Sequence, residues 1–313
     1  MRQGTPKQTC SIFQGEQFTR DDLNRLQQSG AIEEVSGHYF DIITKDLMEI
    51  KNIKTLLLDG DGVLWQSDQK LPGFNRLFET LDRKGIRWAL ITNNNTRSVQ
   101  EYVDKLFGFG IKADRDAIFS SATITADYMK EKYGAGAKVF VVGMPALIET
   151  MHEAGFEVYY GEKLLDHPVS AVVAGMDRAI THDKIKAAMR LIMAGADFIA
   201  TNTDGSFPTP EGINPGTGMV IGALQATTEV DPIIIGKPAP QIFLTAMEVL
   251  KADPETTWMV GDRLNTDILG AKRAGLKTIA VLTGVSSLEE LQNTEDKPDM
   301  ILPGLKEIAE ALE

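Results

Sequence analysis

Two patterns alternate along the chain from residue 54 onward. Short, nearly continuous apolar runs rich in β-branched residues occupy 54–59 (KTLLLD), 86–92 (IRWALIT), 138–143 (KVFVVG) and 169–175 (VSAVVAG). Four more follow at 197–202 (DFIATN), 232–236 (PIIIG), 257–262 (TWMVGD) and 277–284 (KTIAVLTG). Between the first two, Phe74, Leu77, Phe78 and Leu81 recur at i, i+3, i+4, i+7, and Gly85 sits where a helix C-terminus favours glycine. Val99, Tyr102, Val103 and Leu106 repeat the helical spacing after the second run. Apolar strands separated by helices predict parallel strands covered on both faces, the doubly wound, Rossmann-like parallel sheet of the α/β class. No repeat of solenoid period interrupts this alternation.

The first 50 residues read differently. Thr19 is placed to cap a helix through Leu26, with Asp22 at its third position and Gly30 past its end. Ser36-Gly37 lies between AIEEV and HYFDI as a two-residue hairpin turn would. Residues 1–50 thus form an N-terminal extension to which the sequence assigns no role. The longest uncharged run, Gly212–Thr228, reads as a loop entering a helix.

Composition narrows the function. A length of 313 residues suggests two domains, and 43% hydrophobic residues are enough for a buried core. With 32 basic and 44 acidic residues the net charge is −12, which leaves no basic excess for nucleic acid or an anionic membrane. The same field opposes an anionic substrate unless a bound cation reverses it locally. Cys10 is the only cysteine, so no intrachain disulfide forms, in keeping with a reducing compartment. The N-terminus lacks the apolar run of a signal peptide, and no stretch of about 18 apolar residues spans a bilayer. The expected location is cytoplasmic.

Ligands of open α/β sheets bind beyond the carboxyl ends of the strands. After LLL stands Asp59-Gly60-Asp61-Gly62, after ALI stands Thr92-Asn93-Asn94-Asn95, and after WMV stands Gly261-Asp262. If those strands are neighbours, three carboxylates and a hydroxyl–amide cluster meet at one edge. Crowded carboxylates need a cation or a shared proton, and oxygen donors without Cys or His suit Mg²⁺. Singly, each segment has an ordinary explanation. Asp-Gly is a common turn, Asn93–Asn95 suit the cap of a helix from Arg97, and Lys237 in IGKPAP suits a solvated position before a helix. Asp262 and Asp267 suit a strand-end turn and a charge on a helix face.

In their order, however, DGDGVLW, ITNNNT, GKPAP and GDRLNTD resemble the four motifs of the haloacid dehalogenase superfamily of phosphotransferases. The wording is similar to its subfamily IIA, the NagD-type and 4-nitrophenylphosphatase-like proteins, over about residues 51–313. The segments AVVAGMDRAITHDKI (171–185) and ATNTDGSFPTPEGINPGTG (200–218) resemble that subgroup's cap. The resemblance implies a catalytic core of residues 51–132 and 233–313 with an inserted α/β cap domain over 133–232. It implies a Mg²⁺-dependent phosphatase of a small phosphorylated metabolite, in which Asp59 is the nucleophile and Asp61 the general acid and base. Thr92 and the amide of Asn93 would hold phosphoryl oxygens, and Lys237 would offset charge. Asp262 would bind Mg²⁺ with the Asp59 carboxylate and the Asp61 carbonyl, oriented by Asp267.

Substrate contacts are expected from Asn94 and Asn95 and from the cap tip, Asp204, Gly205, Ser206, Phe207 and Pro208, with His182 a weaker candidate. Asn202 and Asp204 equally suit bracing of that tip. No basic cluster marks a second acidic group on the substrate. A homodimer through the cap is common in relatives of this type. Two other readings stay open on this fold: a non-catalytic metabolite-binding protein, and a phospho-accepting signalling protein. The chain length and the second aspartate of DGDG weigh against the latter. No G-x-G-x-x-G follows the first strand, which weighs against a dinucleotide-dependent dehydrogenase.

Overall fold

A computed structural model of the chain describes Ile50, residues 52–209 and residues 212–313. The helix expected from Thr19 and the turn at Ser36-Gly37 lie outside the described residues. In chain order the first strands are β1 (Thr55–Leu58), the short β2 (Trp65–Gln66) and β3 (Gln69–Lys70), β4 (Arg87–Thr92) and β5 (Ile118–Ser120). Then come β6 (Lys138–Val142), β7 (Glu157–Tyr160), β8 (Ala171–Ala174), β9 (Asp197–Ala200), β10 (Ser206–Thr209), β11 (Gly212–Pro215) and β12 (Ile233–Ile234). The last are β13 (Thr257–Gly261), β14 (Lys277–Val281) and β15 (Met300–Leu302).

Two parallel sheets result. The first has the order β15-β14-β13-β1-β4-β5 and the second the order β12-β9-β8-β6-β7. All four residues of β1 are buried, as its unbroken apolar sequence requires of a central strand covered on both faces. Leu58 pairs with Leu90 on β4 and with Val260 on β13, so the three strands end together. That register carries the segments after LLL, ALI and WMV to one sheet edge.

The second sheet separates its faces by the two-residue period of a strand. Val139, Val141, Ala171 and Val173 belong to the same apolar cluster as Leu57, Ile91 and Met259 of the first sheet. The alternate residues Phe140, Val142, Val172 and Ala174 pack instead with Ala188, Leu191 and Leu224, from the helices His182–Met193 and Gly218–Thr228. One face therefore joins the main core while the other builds a second one.

All eight apolar runs contain strands. Three strands of the parallel sheets were not anticipated, Ile118–Ser120, Glu157–Tyr160 and Met300–Leu302; each is only three or four residues long. Gly212–Pro215 is not a loop but pairs antiparallel with Ser206–Thr209. All four of its residues are exposed, so no apolar pattern announces it. Phe74–Lys84 and Val99–Gly108 are helices, and Gly85 ends the first with φ 64°. The second is capped by Ser98 in a capping box with Glu101, which leaves Asn93–Asn95 free of that duty. No helix among the described residues is long and apolar enough to cross a membrane.

Candidate active site

The centre of the site is a lysine between two aspartates. Lys237 is 2% exposed, and its Nζ lies 2.7 Å from Asp59 Oδ1 and 2.7 Å from Asp267 Oδ1, while donating to the Ile91 carbonyl at 3.1 Å. Its backbone is fixed by one side chain: Asn93 Oδ1 accepts from Lys237 N at 2.8 Å, and Asn93 Nδ2 donates to Lys237 O at 3.0 Å. Gly236 allows this approach, because a Cβ there would stand 2.3 Å from the Thr201 carbonyl oxygen. A lysine so buried keeps its charge through its partners; the two carboxylates outweigh desolvation and hold its pKa above the usual value.

The two acids that follow β13 differ sharply. Asp267 sits on a π-helical turn, Leu264–Ile268, that folds it back over the strand end. Gly261 makes room, since a Cβ there would fall 2.2 Å from Asp267 Cβ. Both Asp267 oxygens are occupied, one by Lys237 and the other by the backbone amides of Asp262 at 3.1 Å and Arg263 at 3.0 Å. Asp262 is 2% exposed; its Oδ2 accepts from Val285 N at 2.8 Å, but its Oδ1 is buried with no hydrogen-bond partner among the described residues. Gly62 and Gly284 press against it from either side, where a Cβ would lie 2.6 and 1.9 Å from Oδ2.

An orphaned buried carboxylate oxygen is costly unless a cation or proton meets it. Burial first, and the Asp267 charge second, push the Asp262 pKa up to about 7. Burial likewise raises Asp59, with Lys237 opposing and Asp267 and Asp262 adding to the rise. Asp59, Asp262 and Asp267 each bring a carboxylate oxygen within 4.8 Å of the others. With Asp267 already bonded, Asp59 and Asp262 are the donors that fit a hard divalent cation, and no Cys or His competes.

Twelve of the site residues expected from the sequence line one cavity of about 400 Å³: Asp59, Asp61, Thr92, Asn93, Asn94, Asn95, Asp204, Ser206, Phe207, Lys237, Asp262 and Asp267; Gly205 of the cap tip is not among its lining residues. Asp61 is solvent-exposed on the turn after β1, and Thr92 is buried at the end of β4 with Oγ1 accepting from Asn94 N at 3.1 Å. Asn94 Oδ1 accepts from Thr96 N at 3.0 Å and from Thr96 Oγ1 at 2.8 Å. Asn95 is buried between the sheets: Nδ2 donates to Thr201 Oγ1 at 2.9 Å, and Oδ1 accepts from Met176 N at 3.0 Å. Asn93 Nδ2 also reaches Asp204 at 3.2 Å, and Asn202 donates to Asn93 O at 2.7 Å. His182 lies elsewhere, with its side chain 89% exposed.

Residues 56–157 match the haloacid dehalogenase-like hydrolase model, and residues 234–308 match a second, HAD-hydrolase-like, model. The acid sugar phosphatase of Staphylococcus aureus is 35% identical over 264 residues, 84% of this chain and all of that one. The chain belongs to the haloacid dehalogenase-like hydrolases. Among solved relatives, the 4-nitrophenylphosphatase of Thermotoga maritima is 34% identical with TM-score 0.78, covering 84% of this chain and 99% of that one. The glycerol phosphate phosphatase of Mycobacterium tuberculosis, solved in complex with magnesium, is 31% identical with TM-score 0.76, covering 83% and 77%.

Within this haloacid dehalogenase-like hydrolase, the cavity also takes in residues that motif reading passed over. Arg263 follows Asp262 directly and donates to the Ser206 carbonyl at 2.9 Å. Arg178 comes from the loop after β8, and Lys105 reaches over the Trp65 ring at 4.4 Å from its centroid. The adjacency of Arg263 to the GD pair was the one signal available; for the others only the tertiary fold supplies it.

Proposed function

We propose that this hydrolase is a Mg²⁺-dependent phosphatase of small phosphomonoesters that works through an aspartyl-phosphate on Asp59. The observation that carries the reading is the unpartnered Asp262 Oδ1, buried beside an Asp59 that Lys237 already holds. Asp59, Asp262 and the Asp61 carbonyl would hold Mg²⁺, which supplies charge neutralisation for the phosphoryl oxygens when bound. Asp267 has no free oxygen for that task and positions Lys237 and the Asp262 backbone instead.

In the first half-reaction an Asp59 carboxylate oxygen attacks phosphorus as the bond to the leaving oxygen breaks, and Asp61 gives that oxygen its proton. In the second, Asp61 takes a proton from water, whose oxygen attacks phosphorus; the acyl-phosphate bond breaks, and phosphate and the Asp59 carboxylate are regenerated. The exposure of Asp61 suits it to meet both leaving group and water. The Thr92 hydroxyl and the Asn93 amide are donors for phosphoryl oxygens, and Lys237 adds fixed positive charge. Strands β6 to β11 and their helices, within residues 133–232, act in this reading as the cap, closing a water-excluding roof over the site. Strand β12 (Ile233–Ile234) adds an edge to the second sheet just beyond that range.

The relatives' names, acid sugar phosphatase, 4-nitrophenylphosphatase and glycerol phosphate phosphatase, support a phosphomonoester without agreeing on a leaving group. A cavity of about 400 Å³ suits a metabolite rather than a macromolecule. The test is phosphate release from a panel of small esters with Mg²⁺, with chelator, and with Asp59→Asn. Turnover requiring both metal and Asp59 is expected, with radioactive phosphate trapped on wild type in acid quench. Turnover that survives chelation, or Asp59→Asn at wild-type rate, defeats the reading.

A further inference from the structure

Five cationic side chains line the cavity among the described residues, and four are engaged. Lys237 bridges Asp59 and Asp267, and Arg263 donates to the Ser206 carbonyl. Arg97 and Lys105 approach Asp68 at 3.4 and 3.7 Å. The fifth, Arg178, has no hydrogen-bond or ion-pair partner among the described residues. Its loop is nonetheless held on both sides. Met176 N donates to the buried Asn95, and Asp177, 2% exposed, accepts from Ala179 N at 2.9 Å and pairs with Lys184 Nζ at 2.8 Å. The acid next to Arg178 is thus already spent on Lys184 and cannot neutralise it.

We propose that Arg178 is a specificity-determining residue that receives a second oxyanion on the organic part of the substrate. The preferred ester then carries a carboxylate or a second phosphate a few bonds from the scissile phosphate. This deepens the phosphatase reading and rests on it. Guanidinium donors pair in a fork with either oxyanion. Six carboxylates line the cavity, of Asp59, Asp61, Asp68, Asp204, Asp262 and Asp267, in a chain of net charge −12. An acidic tail entering that field needs a cation free to turn toward it, and Arg178 is the lining cation bonded to no other group among the described residues.

Three two-carbon esters separate the cases: phosphoglycolate, ethylene glycol bisphosphate and 2-hydroxyethyl phosphate, whose tail carries no charge. Wild type is expected to favour at least one acidic ester. Arg178→Gln is expected to lower kcat/KM for that ester by roughly 10–100-fold, the range of a charged hydrogen bond, mainly through KM. The ester with the uncharged tail stays within about threefold, and Arg178→Lys restores part of the loss. Which acidic ester responds identifies the oxyanion. Equal losses on all three esters, or none, overturn the proposal. If wild type hydrolyses no ester, the phosphatase reading fails and the subsite is read by calorimetry with phosphonoacetate and 2-hydroxyethylphosphonate. Tighter binding of phosphonoacetate, lost in Arg178→Gln, sustains the subsite; equal binding of the two overturns it.

Discussion

The floor and the roof of the cavity are built on opposite principles. On the floor, at the carboxyl ends of β1, β4 and β13, buried charges pair at 2.7 Å and glycines bring backbone against carboxylate. Among the described residues, Asp262 Oδ1 is the fully buried floor oxygen left without a partner. On the roof, Arg178 and Phe207 are more open to solvent, and the hairpin of β10 and β11 is held to the floor by few bonds. A floor with a buried vacancy for charge fixes which chemistry is done, while a roof whose backbone is held but whose Arg178 and Phe207 side chains stay open can change what that chemistry is done to. Substitutions on the two should therefore fail differently.

The sharpest break is Lys237→Ala. It leaves Asp59 and Asp267 buried together without their shared cation, and turnover should fall by roughly 10³-fold or more. In chelator at neutral pH, urea unfolding should show a loss of about 3–5 kcal/mol, the range for an uncompensated buried charge. A variant of unchanged stability would mean that the pair carries less of the floor than its geometry implies. Gly284→Ala is milder and more local. Its Cβ would fall 1.9 Å from Asp262 Oδ2, so Mg²⁺ affinity by calorimetry should weaken roughly 10–100-fold, as when a ligand's support is disturbed. The melting temperature in chelator should also fall by a few degrees, because the same Cβ would stand 2.5 Å from Asp262 Cβ in a buried site. Weak metal binding without loss of fold would confine the effect to the floor's vacancy.

Proton and metal compete for that vacancy, which sets a pH dependence of known sign. In the metal-free protein burial pushes the Asp262 pKa up to about 7, well above the usual carboxylate range. Between that range and about pH 7 the folded state binds the extra proton, so this group's contribution favours folding at the acid end and is lost as pH rises toward 7. Mg²⁺ needs the deprotonated acid, so its effect runs the other way. The rise in melting temperature on adding Mg²⁺ should be larger at pH 7.5 than at pH 5.5, and small at both in Asp262→Asn. An equal rise at both pH values in wild type would place the metal away from Asp262.

The floor was legible in the sequence because its groups stand directly after buried strands. Their neighbours in space follow from strands that pair in register, and four short motifs supplied the rest. Those motifs implied a division of labour, Asp262 on the metal and Asp267 behind it, without a physical reason for it. Nothing local distinguishes the two acids, five residues apart; the fold adds that both Asp267 oxygens are bonded while Asp262 Oδ1 has no partner among the described residues. The roof was harder to read. Asn95 was grouped with substrate contacts, yet its amide spans from Thr201 to Met176, partners far along the chain. The exposed hairpin strands have no apolar alternation, and β7, with two exposed and two half-buried residues, offers little more.

Arg263 joins the two halves of the comparison and yields the smallest expected effect. Its backbone amide donates to Asp267 on the floor, while its guanidinium donates to the Ser206 carbonyl on the roof. Arg263→Met keeps the backbone donor and the side-chain length and removes only the link upward. If floor and roof are separable, KM should rise roughly 3–10-fold, the worth of one hydrogen bond, while kcat and Mg²⁺ affinity hold within about twofold. Arg263→Lys, which restores a cation, should recover part of the KM. A fall in kcat together with Mg²⁺ affinity would show instead that strain from the roof reaches Asp262 through this residue, and the hairpin would then belong to the chemistry as well as to selection.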